Sequence, residues 1–225
     1  MLSLFLLAHV VADFVLQPYW LVLRKRRCDG LLIHGGIVLA CMLVLPLADR
    51  TTLALWPTML GITAVHIVVD WSKVRFGDRV PGPPIGPFLL DQVIHVTTLG
   101  VALSLALPAE RVWSLASSPV APLAIAVAAY VVAACATPIA VMIWLDPRSE
   151  HAALAGGARI RSFLVGAAVV SLMLIASNLV IPATLLGLMV VIRRPISAHP
   201  LDMPIGLLAV VGVAAALGTI LTMGG

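Results

Sequence analysis

Apolar residues run along almost the whole chain in long segments that are separated by short polar connections. A helix needs about 20 mostly apolar residues to cross the hydrocarbon core of a bilayer, and most of these segments approach that length. The pattern therefore predicts eight transmembrane helices and no soluble domain, because no polar stretch is long enough to fold alone. The predicted spans cover residues 2–17, 31–48, 52–71, 88–107, 119–145, 161–177, 179–192 and 204–222.

The composition supports this fold class. Of the 225 residues, 61% are hydrophobic and 11% are charged, and the mean hydropathy is +1.11. Soluble domains carry about 25% charged residues, so this chain lies far outside their range. We predict an all-α, polytopic bundle. Its first segment lacks a basic region and a small-residue cleavage site, which indicates a retained span rather than a signal peptide.

Basic residues are distributed unevenly over the predicted connections. The connections after spans 1, 3, 5 and 7 hold twelve of the fourteen Lys and Arg residues, and the others hold only Arg50 and Arg111. Cytoplasmic loops carry an excess of Lys and Arg, so we expect the odd-numbered connections in the cytoplasm and both termini outside. Fusing spans 6 and 7 around Asn178 would give seven spans but would put Arg193 and Arg194 outside, so eight is preferred.

The ionisable residues within the spans are confined to the first four. These residues are His9, Asp13, His34, His66, Asp70, Asp91 and His95. Six of them form three His/Asp pairs at i, i+4, which places both members of a pair on one helix face. His precedes Asp in spans 1 and 3, which run toward the cytoplasm, and Asp precedes His in span 4, which runs outward. Each Asp is therefore expected nearer the cytoplasm than its His. We therefore predict one shared polar site about 5–13 Å inside the cytoplasmic boundary, with His34 at a similar depth.

The residue types of this set are those of a divalent-cation site. Four imidazoles and three carboxylates, with no Lys or Arg among them, offer the nitrogen and oxygen ligands that zinc accepts. Charged groups in hydrocarbon are costly and usually mark function. The first choice of ligands is His66, Asp70, Asp91 and His95, with His9, Asp13 and His34 completing or orienting the set. The candidate catalytic groups are the carboxylates of Asp13, Asp70 and Asp91.

Seven candidate ligands exceed the needs of one ion, so one or two metals are possible, with zinc favoured. We expect a membrane-embedded hydrolase in which water activated by the metal attacks an ester, amide or phosphoester of a lipid or lipid-linked substrate. Two alternatives stay open: a transporter of divalent metal or protons, and a non-catalytic assembly factor. The polar groups lie off-centre, which favours an enzyme over a transporter. No basic patch is large enough to indicate nucleic-acid binding.

The predicted organisation is a four-helix half that carries the site, residues 1–107, and a four-helix scaffold half, residues 108–225. Gln17 and Gln92 lie beside the site in the sequence. Two interpretations stay open for them: hydrogen-bond partners of the site, or residues at the membrane interface. His151 and His199 fall in connections and are given no role. The three cysteines have no metal-type or disulfide-type spacing.

Three motifs carry a resemblance to a known family: LLAHVVADFVLQPYW, HIVVDWSKVR and FLLDQVIHV. They resemble an uncharacterised bacterial family of polytopic inner-membrane proteins, known only as a domain of unknown function, over residues 1 to about 107. The resemblance implies a location in the bacterial cytoplasmic membrane and adds weight to the polar site without implying a reaction. A comparison with lipid phosphatases is poor, because a PSGH-type motif and a basic phosphate-binding motif are missing. The family's polar positions are all present here: His9, Asp13, Gln17, His34, His66, Asp70, Asp91, Gln92 and His95.

Overall fold

The computed structural model describes residues 1–146, 157–175 and 199–223. Within these ranges every regular element is a helix, which confirms the all-α class. The α-helices are α1 Leu2–Phe14, α2 Tyr19–Arg24, α3 Cys28–Leu43, α4 Leu45–Ala48, α5 Trp56–Phe76, α6 Gly86–Ala106, α7 Ala109–Trp113, α8 Ala121–Val131, α9 Thr137–Leu145, α10 Gly157–Ile175 and α11 Pro204–Met223. Short 3₁₀ helices cover Arg50–Leu55, Gly77–Arg79, Leu115–Ser117 and Pro200–Asp202.

Six helical segments in the described ranges are long and apolar enough to cross a membrane. They are Cys28–Ala48, Arg50–Arg79, Gly86–Ala106, Ala121–Leu145, Gly157–Ile175 and Pro204–Thr222, and α1 is a shorter apolar helix. The chain is therefore a multi-pass membrane protein, and these seven helices match seven predicted spans. The predicted span at residues 179–192 and Asn178 lie outside the described residues, as does the choice between seven and eight spans.

The first helix is shorter than predicted. α1 has 13 residues and ends at Phe14, whereas the predicted span continued to residue 17. The backbone amide of Leu16 donates a hydrogen bond to the carbonyl of Val11, five residues earlier, at 2.9 Å. Pro18, in an extended conformation, is then the N-cap of α2. At 1.5 Å per residue α1 is about 20 Å long, which is less than the roughly 30 Å hydrocarbon core.

The contacts divide the chain into two compact units, Met1–Ala128 and Ala129–Gly225. In the first unit, α1 packs against α3 and α6, and α5 packs against the same two helices. The four helices thus form a closed bundle in which neighbours in sequence are neighbours in space. The functional division between residues 1–107 and 108–225 is a separate matter and stays a prediction.

An apolar layer fills the half of the bundle that contains the start of α1 and the end of α6. Phe5, Met42, Met59 and Leu103 are at most 1% exposed there. The polar residues occupy the opposite half, where α1 and α5 end and α3 and α6 begin. Burial of large apolar side chains contributes about 1.5–3 kcal/mol each, so this layer stabilises the helices that carry the polar groups.

A glycine brings the connection after α1 onto the bundle. A Cβ atom on Gly30 of α3 would lie 2.1 Å from the carbonyl oxygen of Arg24 and 2.7 Å from the amide nitrogen of Lys25. Only glycine permits this approach, because any side chain would push the end of α2 away from α3. The backbone at Lys25 is therefore held against the polar half of the bundle.

In the second unit, α9 and α10 both pack against α11. The predicted span 119–145 is one continuous helical segment with a π turn at Val132–Ala136. The turn ends two residues before Pro138, whose backbone nitrogen carries no hydrogen, and Thr137 Oγ1 donates to the Val132 carbonyl at 2.8 Å. His199 accepts a hydrogen bond from the Leu201 amide, while His151 lies outside the described residues.

Candidate metal centre

The seven ionisable residues predicted to converge do meet on the inner faces of the four-helix bundle, and none is more than 8% exposed. The nearest nitrogen–oxygen separations within the three i, i+4 pairs are 3.4–3.8 Å. Helical spacing has therefore put both members of each pair on the same buried face. The bundle draws them from four helices: His9 and Asp13 from α1, His34 from α3, His66 and Asp70 from α5, and Asp91 and His95 from α6.

Two imidazoles face each other at the centre of the cluster. The Nε2 atoms of His34 and His66 are 3.0 Å apart. Asp13 Oδ1 lies 3.3 Å from the first of these nitrogens and 3.6 Å from the second. Asp70 Oδ2 lies 3.5 Å from both. Carboxylate oxygens from two different helices thus lie close to the same pair of imidazole nitrogens.

These separations suit a metal ion. Ligand atoms about 2.1 Å from a tetrahedral zinc ion lie about 3.4 Å from one another, close to the spacings of 3.0–3.6 Å found here. Three overlapping groups of ligand atoms have mutual separations within 4.8 Å: His9, Asp13 and His66; His34, His66 and Asp70; Asp70, Asp91 and His95. All seven predicted ligands belong to at least one group, so the cluster could hold a divalent ion.

Asp70 connects the central imidazoles to the pair on α6. Its Oδ1 lies 3.8 Å from His95 Nε2, which is itself 3.4 Å from Asp91 Oδ1. The rings of His66 and His95 stack with centroids 4.0 Å apart and planes 19° from parallel. Asp70 therefore presents one oxygen to each neighbouring group of ligands, which is the arrangement that a carboxylate shared between two sites requires.

Several buried polar atoms of the cluster have no hydrogen-bond partner among the described residues. They include Asp13 Oδ1, His34 Nδ1, Asp91 Oδ1 and His95 Nε2. Buried polar atoms are nearly always hydrogen-bonded, and the exceptions need an explanation such as an ion or a water molecule. Because Asp13 Oδ1 and His95 Nε2 are near other ligand atoms, a cation at the cluster would satisfy both.

Two lysines from outside the predicted set of seven residues join the cluster. Lys25 Nζ lies 2.8 Å from Asp70 Oδ2, and the two side chains are 8% and 5% exposed. Lys73 Nζ donates to Asp91 Oδ2 at 2.9 Å, with side-chain exposures of 35% and 3%. The cluster therefore consists of four imidazoles, three carboxylates and two ammonium groups.

These ammonium groups change the charge of the site. Three carboxylates alone would repel one another, because like charges at this distance interact strongly when they are buried. Two lysines reduce the net charge from −3 to −1 while the imidazoles are neutral. The cluster is thereby close to electrically balanced without a metal, and a divalent ion would bring it to +1.

Gln92 belongs to the polar network. Its Oε1 accepts a hydrogen bond from His9 Nε2 at 3.3 Å. Its Nε2 donates to Asp91 Oδ2 at 3.1 Å and reaches Asp13 Oδ2 at 3.4 Å. Of the two interpretations of Gln92, the geometry supports a hydrogen-bond partner that links α6 to α1. Gln17 is half-buried, and its role stays open.

A small cavity lies between the imidazoles and the apolar layer. His9, His66 and His95 line it together with apolar side chains that include Phe5 and Leu99. Its volume is about 10 Å³, which is close to the space that one water molecule requires. Three imidazoles therefore border a space in which a single water molecule could be held.

Comparison with known proteins places this bundle in a family. The family described as protein of unknown function (DUF3307) matches residues 1–124, which is more than half of the chain. The chain belongs to the DUF3307 family. The match covers all seven predicted ligands and extends beyond about residue 107, where the resemblance was expected to end. No curated protein and no solved structure matches the chain.

The DUF3307 segment also contains both lysines, which the sequence reasoning had left in the loops. Lys73 had a detectable signal, because residues 66, 70 and 73 follow one stripe of a helix. Lys25 had none: it lies between two helices, and only the close contact at Gly30 brings its backbone to the bundle.

Proposed function

We propose that this DUF3307 protein is a divalent-metal-dependent enzyme of the bacterial cytoplasmic membrane, most simply a hydrolase of a lipid or lipid-linked substrate. The observation that carries the proposal is the approach of Asp13 Oδ1 and Asp70 Oδ2 to the facing Nε2 atoms of His34 and His66. Two neutral nitrogens and two anionic oxygens form a donor set that suits zinc better than magnesium or calcium, which prefer oxygen alone.

The four central residues would hold the ion, and the other three would assist. A bound divalent ion supplies Lewis acidity and lowers the pKa of a coordinated water toward neutrality. His95, whose Nε2 lies 3.4 Å from Asp91 Oδ1, lines the small cavity, where the imidazole could accept a proton from water. His9 would be kept in one orientation by Gln92, as the partners of metal-site histidines commonly do.

The apolar layer favours an enzyme over a transporter. A transport path needs polar groups or water on both sides of the binding site. In the first unit, the half of the bundle beyond the cluster is instead packed with Phe5, Met42, Met59 and Leu103, which are almost wholly buried. A site that is closed on one side suits chemistry on a substrate that enters and leaves from the other.

The location follows from the distribution of charge. The polar half of the bundle lies at the end where Arg24–Arg27 and Lys73 are found. Because basic connections face the cytoplasm, this end would open to the cytoplasmic leaflet. A site at that depth suits a substrate whose reactive group lies near the lipid headgroups.

The test is the metal content of the purified protein, measured by elemental mass spectrometry. Wild-type protein should retain about one or two equivalents of zinc. The double variant His34→Ala with His66→Ala should lose the metal while still eluting as a folded species, and His199→Ala is the matched control that should keep it. Metal-dependent turnover of p-nitrophenyl esters or phosphates should be absent in Asp13→Asn.

Metal-free wild-type protein whose melting temperature is unchanged by a chelator would overturn the proposal. Collapse of the protein in every cluster variant, with no metal in the wild type, would support the assembly-factor alternative. Retention of metal without any hydrolysis, together with metal uptake by reconstituted vesicles, would support the transporter.

A further inference from the structure

The two lysines are the part of the cluster that a metal site does not explain. Cations next to metal ligands compete with the metal for the same oxygen atoms. Lys25 Nζ forms an ion pair at 2.8 Å with Asp70 Oδ2, the atom that also faces His34 and His66. An ion bound there would repel the ammonium group and weaken its hold on the carboxylate.

The net charge of the metal-loaded site indicates what the lysines would contact once the metal is bound. With the three carboxylates ionised and the imidazoles neutral, the site carries −1 without metal and +1 with one divalent ion. Uncompensated charge in a buried site is costly, so the loaded site favours an anion. A singly charged phosphoryl group would bring the net charge to zero, and a phosphate dianion would bring it to −1, the value of the metal-free cluster.

The exposure of Lys73 shows where such an anion would enter. Its side chain is 35% exposed, whereas the seven His and Asp residues are at most 8% exposed. The ammonium group lies 5.4 Å from the centre of the Phe88 ring and 2.9 Å from Asp91 Oδ2, so the charged tip packs against α6 while the side chain as a whole stays partly exposed. A ligand can therefore contact Lys73 without separation of the four helices.

We propose that Lys25 and Lys73 form an anion-binding clamp that recognises a phosphoryl group of the substrate, beside the metal ion held by the His/Asp cluster. This inference rests on the proposed metal-dependent function and narrows its substrate class to phosphate esters. On metal binding the lysines exchange Asp70 and Asp91 for the phosphoryl oxygens. Lysine suits this role as a compact point charge that binds phosphate.

The experiment measures binding of inorganic phosphate to metal-loaded protein in a neutral detergent, by calorimetry, after excess metal has been removed. Wild-type protein should bind phosphate only when it is loaded. Lys25→Met and Lys73→Met should each weaken phosphate binding at least tenfold, while Lys25→Met binds zinc more tightly than wild type and Lys73→Met binds it at least as tightly. Arg75→Met removes an exposed positive charge two residues from Lys73 and should bind phosphate as wild type does.

A second set of measurements identifies the source of the phosphoryl group and includes a control for misfolding. Phosphatidic acid in mixed micelles should displace the phosphate if the substrate is a lipid, whereas glycerol phosphate should do so if it is a soluble ester. Lys73→Arg keeps the charge and should retain most of the binding. Zinc-loaded Lys→Met variants with unchanged phosphate affinity would overturn the clamp and leave the metal site standing, whereas wild-type protein that holds no metal would overturn the proposed function.

Discussion

Replacement of Lys25 by Met should have opposite effects on the metal-free and the metal-loaded protein. In the metal-free protein it removes the partner of Asp70, which is 2.8 Å away, and both side chains are less than a tenth exposed. Breaking a buried ion pair by removing one partner costs about 3–5 kcal/mol, because the remaining charge is left uncompensated. For a chain of this size that is a fall of roughly 6–20 °C in the melting temperature.

In the presence of zinc, the same substitution should increase the affinity of the site for the metal. Two unit charges about 4 Å apart interact by about 4 kcal/mol at an effective dielectric constant of 20, and a divalent ion doubles the repulsion from the ammonium group. In the wild type the lysine side chain can move away from the ion, so only part of this repulsion lowers the zinc affinity. We expect at least a tenfold increase in zinc affinity, which corresponds to about 1.4 kcal/mol.

The assay follows tryptophan fluorescence during thermal unfolding in detergent, with chelator or with zinc, and measures zinc affinity by competition with a chromogenic chelator. Zinc should raise the melting temperature of Lys25→Met more than that of the wild type, because tighter binding to the folded state stabilises it further. Arg26→Met, at the exposed neighbouring position, should leave both quantities unchanged. Weaker zinc binding in Lys25→Met would refute the reasoning, since it would mean that the ion does not compete for Asp70.

Three further outcomes are expected. Zinc affinity should fall as the pH is lowered through the histidine range in an equilibrium competition assay, because a protonated imidazole cannot be a ligand; pH-independent affinity would count against a histidine site. In a cysteine-free background, a single cysteine at Ser72 should be shielded from an impermeant thiol reagent added to intact cells, and one at Thr51 should react; the reverse pattern would invert the topology. Gly30→Ala should lower stability by roughly 1–3 kcal/mol in thermal unfolding, because its new methyl group would displace the backbone of Arg24 and Lys25; an unchanged melting temperature would show that this turn is not held tightly.

The sequence alone was sufficient for those features that depend on local periodicity. Span length and apolar content determine which segments can cross a membrane, so seven of the predicted spans are found as helices in the described ranges. The i, i+4 spacing of His66 and Asp70, for example, places both on one face of any helix. Because lipid disfavours charge, those faces had to turn inward, and this was enough to predict that the seven residues meet.

Only the tertiary structure decided which atoms face each other. The rotation and depth of neighbouring helices set the 3.0 Å approach of His34 to His66 and the position of Asp13 beside them, and no local spacing encodes these quantities. Lys73 could have been inferred from its position three residues after Asp70. Lys25 could not, because its burial depends on the contact of one chain segment with Gly30 in another. A contact of that kind is a property of the folded chain and leaves no periodic trace in the sequence.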